Sequence, residues 1–272
     1  MTQSILGCVV SLWRFPVKSM MGEELNASDV TERGLLGDRV YALMDPATGK
    51  VASCKNPRKW EKLFDFRAAF VQPPTTTQKI PPIRITLPNG TIVTSEQRDI
   101  NQVLSKVLGR QVTLTTPAPK TPSLEEYWLD MEGLAHRETI TDEAMPPETF
   151  FDLAAVHVLT TATIDWLREL YPQGRFEVRR FRPNIVVELT SGEKGFVEDT
   201  WIGHTVAIGE NVRLSITGPC PRCVMTTLPQ GDMPRDPGIL RTAARYNQAN
   251  IGVYAAVQHG GTIRRGDPVR LE

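Results

Sequence analysis

Gly218-Pro219-Cys220-Pro221-Arg222-Cys223, continued by Val224-Met225-Thr226-Thr227-Leu228-Pro229, admits two architectures. A Cys-x-x-Cys pair that opens a helix belongs to a βαβ redox fold, because the helix dipole lowers the pKa of the first thiol. Here the residues after Cys223 are largely β-branched and are then stopped by Pro229, so residues 224–228 read as a strand. That reading puts the pair in a β protein, and the pattern on both sides agrees.

Downstream, residues 252–257 and 269–271 read as strands, joined through the turn chemistry of Gly260-Gly261 and Gly266-Asp267. Upstream, strands are expected at 156–159, 185–189, 205–208 and 212–217. Between the first two, Thr161 or Thr163 is placed to cap a helix that carries Ile164, Leu167 and Leu170 on one face. The first hundred residues are hairpin-rich. Strands are expected at 5–15 (ended by Pro16), 25–30, 39–44, 66–71, 83–87 and 92–94, with turns at Asp45-Pro46-Ala47-Thr48-Gly49 and Pro88-Asn89-Gly90. Residues 99–108 fit a short helix through Ile100, Val103, Leu104, Val107 and Leu108. The polar, proline-rich stretch 117–147 reads as a connection or lid anchored by Tyr127-Trp128. The expected fold is mostly β with a few helices: a first barrel over 1–115, a connecting segment over 116–150, and a second, closed or nearly closed barrel over 151–272.

Lysine plus arginine (31) balance aspartate plus glutamate (31). No net basic field is available to hold nucleic acid or an anionic membrane, so any anion site must be built locally. No apolar run approaches the roughly 18–20 residues that span a bilayer, and the N-terminus lacks the basic segment and cleavage site of a signal peptide. Four cysteines (Cys8, Cys54, Cys220, Cys223) in 272 residues do not make a secreted disulfide scaffold. The expected compartment is the cytoplasm.

The cysteine pair has four readings. A structural zinc site needs four ligands, yet Cys8 and Cys54 lie far upstream and His136, His157, His204 and His259 show no ligand-pair spacing. A thioredoxin-like motif needs a helix start. Two half-buried thiols at a strand end need nothing further. The fourth reading takes Arg222, between the cysteines, as a cation favouring a thiolate, the donor a soft, high-valent metal prefers. A second cluster, Phe181-Arg182-Pro183-Asn184-Ile185, sets an arginine at a strand mouth before proline, where it can grip a phosphate bidentately or form a surface salt bridge. Lys18-Ser19 and Gly37-Asp38-Arg39 pose the same choice.

Several blocks, in order, resemble a known family. Trp13-Arg14-Phe15-Pro16-Val17-Lys18-Ser19 and Gly34-Leu35-Leu36-Gly37-Asp38-Arg39 look like the β-barrel domain that precedes MOSC domains. Arg180-Phe181-Arg182-Pro183-Asn184-Ile185, Glu198-Asp199-Thr200-Trp201, Cys220-Pro221-Arg222-Cys223-Val224-Met225-Thr226-Thr227 and Gly261-Thr262-Ile263-Arg264-Arg265-Gly266-Asp267-Pro268-Val269 resemble the MOSC domain itself. The amidoxime-reducing enzymes and their bacterial counterparts are the relatives this suggests. The resemblance implies a molybdenum cofactor (molybdenum–molybdopterin), with Cys223 as the protein ligand to the metal. It implies that Lys18, Ser19, Arg39, Arg182 and Asn184 hold the pterin and its phosphate, that Arg222 faces the cofactor, and that Thr160 or Thr163 donates a hydroxyl to it.

The activity so implied is an oxidoreductase that reduces N-hydroxylated or related N- or S-oxygenated small molecules. Without the C-terminal iron–sulfur domain of some bacterial relatives, its electrons would come from a separate ferredoxin- or flavoprotein-type donor. Pyridoxal-phosphate binding belongs in this family to relatives with an N-terminal desulfurase domain, which the sequence lacks. The rival reading is a carrier of the cofactor, or of sulfur held on Cys223 as a persulfide. Two departures bear on the substrate: Leu228-Pro229-Gln230 stands where the family has valine, aspartate and proline, and Val51 to Trp60 is unlike the amidoxime reducers.

Overall fold

The structure, a computed structural model, describes residues 5–132, 134 and 136–272. Seven strands, numbered here in chain order, close into one barrel: β1 (Ile5–Arg14), β2 (Val156–Thr160), β3 (Ile185–Leu189), β4 (Thr205–Ile208), β5 (Val212–Pro221), β6 (Asn250–His259) and β7 (Pro268–Leu271). Around the barrel the order is β3-β2-β6-β5-β4-β7-β1, and β1 returns to pair with β3. The β2–β3 pair is parallel and the others are antiparallel. Closure leaves no long exposed edge, and the inward positions fill with Val9, Leu12, Val158, Ile185, Leu214 and Val253. The expected closed barrel is present.

The crossover between the parallel strands is the helix α2 (Thr161–Leu170), after α1 (Ile100–Leu108) in the first unit. With α3 (Pro237–Asn247), α2 covers the outside of the barrel, burying Leu159, Ile164, Leu167, Ile239 and Ile251 together. Every residue of β2 is therefore buried, on the inner face by the barrel and on the outer face by helices.

The expected division at residue 115 does not hold for the first strand. β1 lies between β3 and β7 and completes the second barrel. A bulge between Val9 and Ser11 moves its buried set from Gly7 and Val9 to Leu12 and Arg14, so one strand serves the barrel at its start and the cleft at its end. The stretch expected as a connection contributes a hairpin, Ser123–Trp128 with Thr139–Ala144, to a five-stranded sheet that includes Ala42–Asp45, Lys50–Val51 and Thr113–Thr115. Tyr127 is buried there, as an anchor should be.

Three local expectations also change. Residues 224–228 are not a strand: Val224–Thr227 is a 3-10 turn. Val224, Met225 and Leu228 plug into the apolar core of the first unit beside Trp60, Phe64 and Ile85, and an apolar run can satisfy such a socket as well as a sheet. The cap of α2 is Thr160, whose side chain accepts from the Thr163 N–H, rather than Thr161 or Thr163. Gly261 opens a strand, Gly261–Arg264, that pairs with Ala27–Thr31, rather than a turn. Among the described residues no helix is long and apolar enough to cross a membrane.

Candidate functional site

The plug after Cys223 docks the two units, and a polar cleft opens where they meet. Lys18, Ser19, Arg39 and Lys55 line it from one side; Asp152, His157, Arg182, Asn184, Arg222 and Cys223 line it from the other. Six of the residues singled out in the sequence thus converge, together with Cys223, the predicted ligand.

Backbone shape brings the cations in. Ser19 (φ 63°), Arg39 (φ 49°) and Arg182 (φ 54°) all adopt left-handed conformations that residues with side chains rarely take, and such conformations concentrate at ligand clamps. The guanidiniums of Arg182 and Arg39 both stack on Phe15, at 4.1 and 5.0 Å from its ring centre. Arg182 Nη1 donates to the Met20 carbonyl at 2.8 Å. The buried Asp38 carboxylate is the hub beneath them: it accepts from the Phe15 N–H at 2.7 Å, from Asn184 Nδ2 at 3.0 Å and from Arg39. Asn184 spends its amide inside the protein, since Oδ1 accepts from the His157 N–H and Nδ2 donates to Asp38 and to the Trp13 carbonyl. Asn184 therefore fixes the cleft wall, with no amide group left over for a ligand. Ser19 acts similarly, accepting from the Cys54 N–H at 3.1 Å. Gly252 makes room for the wall at His157: a Cβ there would fall 2.3 Å from His157 Nε2.

Charge compensation in the cleft is uneven. Lys18 pairs with Asp152 at 2.7 Å, Arg39 with Asp38, and Lys55 with Glu126 at 2.9 Å. Among the described residues Arg182 and Arg222 have no carboxylate partner. Each also has a buried nitrogen without any hydrogen-bond partner, Arg182 Nη2 and Arg222 Nε. Buried donors are nearly always satisfied, so two uncompensated guanidiniums with orphaned donors describe a seat for an anion. Burial first, and then the charge of Arg39, push the Arg182 pKa down; a bound anion would act in the opposite sense.

The two cysteines part company. Cys220 is fully buried at the end of β5, where Arg222 Nη1 donates to its sulfur at 2.7 Å. Arg222 Nη2 holds the Phe181 carbonyl at 2.8 Å. Cys223 is half-buried and lines the cleft, and all four cysteines are free. Arg222 was expected to favour a thiolate at Cys223. Instead, burial and then the Glu126 carboxylate push the Cys223 thiol up to about 12, against the weaker pull of Lys55 and Arg222. A coordinated metal cation would reverse that balance. Among the described residues no three His, Cys, Asp or Glu side chains are grouped to hold a metal by themselves.

Arg180, fully buried one residue before Phe181, holds the loop beyond Cys223 in place. It donates to the carbonyls of Thr226, Leu228, Pro234 and Arg175 at 2.8–3.0 Å.

Two family models match the chain. The MOSC domain model matches residues 147–270, and the model of the MOSC N-terminal beta barrel domain matches residues 6–59. The chain is a MOSC domain protein. It is 25% identical to mitochondrial amidoxime reducing component 2 of Bos taurus and 26% identical to that of Homo sapiens, in each case over 97% of this chain and 83% of the relative. It is 25% identical to mitochondrial amidoxime-reducing component 1 of Mus musculus, over 98% of this chain and 82% of that one. The solved structure of the YUAD protein of Bacillus subtilis aligns over 97% of this chain and 94% of that one, at 10% identity and a TM-score of 0.49.

Thr160 and Thr163 do not reach the MOSC cleft. Their hydroxyls donate to the buried carboxylate of Glu198, at 2.6 and 2.7 Å. The residues of that region that do line it are Asp152, Leu153, Ala154 and His157. These, with Lys55 and Tyr254, are the cleft residues that sequence reasoning missed; only the unusual Val51 to Trp60 stretch hinted at Lys55.

Burial raises the Glu198 carboxyl to about 7, against the two threonine hydrogen bonds, whereas in an unfolded chain it titrates near ~4.3. The folded state thus binds the extra proton between those values. The associated stability is complete below the unfolded pKa and is lost as pH rises through 7. Glu198→Gln is expected to reduce the fall in Tm between pH 5 and pH 8. A variant that keeps the wild-type slope would place the titration elsewhere.

Proposed function

We propose that this MOSC protein binds a molybdenum–pterin cofactor in the cleft, with the Cys223 thiolate as its protein ligand, and works as an oxidoreductase. The observation that carries this reading is the pair of buried, unpartnered donors, Arg182 Nη2 and Arg222 Nε, on two residues that line the same cleft as Cys223. A dianionic phosphate needs two or three converging cationic donors, and a soft metal needs a thiolate. Both lie within one cavity, so the residues fit the group. Arg182 and Arg39 would grip the phosphate. Lys18 and Asp38 would hold the surrounding wall, and Arg222 would face the pterin beside Cys223.

When bound, the group supplies two-electron reduction of an N-hydroxylated or related N- or S-oxygenated substrate. The protein residues keep the thiol oriented through Arg180 and the Val224–Thr227 turn, and the docked units shield the site from water. The names of the relatives, amidoxime reducing components, support this reaction class. Electrons would come from a separate ferredoxin- or flavoprotein-type donor, and the cytoplasm is the compartment we assign.

Protein purified from a cofactor-competent host fed molybdate is expected to carry about one molybdenum and one pterin per chain, since the site offers one thiol ligand and one anion seat. Elemental analysis and pterin fluorescence measure both. Zinc without pterin would end this reading.

A further inference from the structure

Lys55 reaches the cleft from the segment before the short helix Pro57–Trp60. Its ammonium donates to Glu126 Oε2 at 2.9 Å and lies 4.0 Å from Asp152 Oδ1. An ammonium carries three N–H donors. Among the described residues this one makes a single hydrogen bond, with its side chain 14% exposed. Glu126, on the strand Ser123–Trp128, is buried and does not line the cleft. Of the pair, Lys55 is the member that lines the cavity. The Tyr127 N–H bonds the Lys55 carbonyl at 2.8 Å, and the Lys55 N–H bonds Ser53 Oγ at 3.2 Å, so the backbone under the ammonium is fixed.

The cleft cations divide by position. Arg39 and Arg182 share Phe15, and Lys18 is tied to Asp152 and to the Phe150 carbonyl. Lys55 and Arg222 stand at the Cys223 end: Arg222 precedes it in the chain, and the Lys55 carbonyl holds the N–H of Tyr127, a member of the apolar core against which Cys223 packs. Arg222 is anchored to the cleft wall at both terminal nitrogens, on the Cys220 sulfur and the Phe181 carbonyl. Lys55 keeps two of its three ammonium donors without a hydrogen-bond partner among the described residues.

We propose that Lys55 is the substrate-recognition residue of this site. Its ammonium, oriented by Glu126, binds the oxygen of a small substrate whose N–O or S–O oxygen is anionic or strongly polarised. This rests on the reading of Cys223 as the reacting end of the cleft. An ammonium backed by its own carboxylate needs no substrate charge to be neutralised, so the site selects for an acceptor atom. A molecule without one leaves buried donors unpaired, which is the strongest kind of discrimination a polar pocket offers.

The test uses the full-length chain made without cofactor, and two alkylating agents that differ in charge at one end. Iodoacetate presents a carboxylate and iodoacetamide a neutral amide; peptide mass spectrometry separates Cys223 from Cys8, Cys54 and Cys220. Relative to a free thiol, wild-type Cys223 is expected to favour iodoacetate by about tenfold, the scale of one partly screened charge-assisted hydrogen bond. Lys55→Gln is expected to abolish that preference and Lys55→Arg to keep most of it, with Lys50→Gln, a half-buried lysine outside the cleft lining, as the unaffected control. Lys55→Gln leaves Glu126 without its partner, so the double variant Lys55→Gln/Glu126→Gln supplies a neutral pair if the single one fails to fold. A preference unchanged in either neutral variant overturns the proposal and leaves Lys55 as a strut between its segment and the hairpin. Failure here in a chain that carries molybdenum removes Lys55 alone. A lost preference in a chain that never takes up molybdenum keeps the oxygen-binding role and removes the cofactor reading.

Discussion

Cys223→Ser is expected to lower molybdenum retention at least about a hundredfold and to abolish turnover, with the fold intact. Removing a residue that only supports a metal ligand costs roughly ten- to a hundredfold in metal affinity; removing the ligand itself costs no less. The fold should tolerate the change because Cys223 is half-buried at the head of a turn whose hydrogen bonds run through its backbone carbonyl, to the Thr226 N–H and hydroxyl. Cys220→Ser should behave differently. Its sulfur accepts from Arg222 Nη1 in a fully buried position away from the cleft lining. A serine hydroxyl can accept the same bond, so most of the cofactor should be retained, with about 1 kcal/mol of stability lost. Metal and pterin content, with circular dichroism for the fold, separate the two. Equal loss in both variants would instead indicate a dithiol working as a pair.

The second large effect belongs to the anion seat. Arg182→Ala should weaken cofactor retention by about 1.5–3 kcal/mol, roughly ten- to a hundredfold, the worth of one charge-assisted contact. A surface salt bridge would have predicted almost no change, but Arg182 is only 6% exposed and has no carboxylate partner among the described residues. Arg182→Lys should fall between, since it keeps the charge and loses the planar fork. Arg39→Ala should cost cofactor and stability together. It strips the partner from the buried Asp38, which also orients Phe15 and Asn184. Pterin remaining after exhaustive dialysis is the measurement. Full retention in both alanine variants would mean that the cofactor is held elsewhere.

Some of this was legible in the residues alone. Ile185–Leu189, Thr205–Ile208 and Ile92–Thr94 fall where the alternation and turn signals put them, because side-chain period and turn chemistry are local properties. The clustering of Lys18, Arg39, Arg182, Arg222 and Cys223 was carried by the order of several motifs, each of them weak alone. α3 escaped notice, although Asp236 and Pro237 form a regular cap and first turn.

What only the tertiary structure decided is which partners each local pattern found. Alternation tells which faces of β1 are apolar and says nothing about its neighbours, and two of those turned out to be strands more than 170 residues away along the chain. The apolar residues after Cys223 suit a strand or a plug equally, and the socket that decided is made by Trp60, Phe64 and Ile85 of the other unit. Thr160 and Thr163 have hydroxyls fit for a cofactor, yet Glu198 reaches them first. Lys55 and Glu126 became a pair because the strand Ser123–Trp128 runs beside the segment that carries Lys55. Periodicity is written along the chain within a few residues. Partner choice is set by closure of the barrel and docking of the two units, where long-range contacts compete for the same groups.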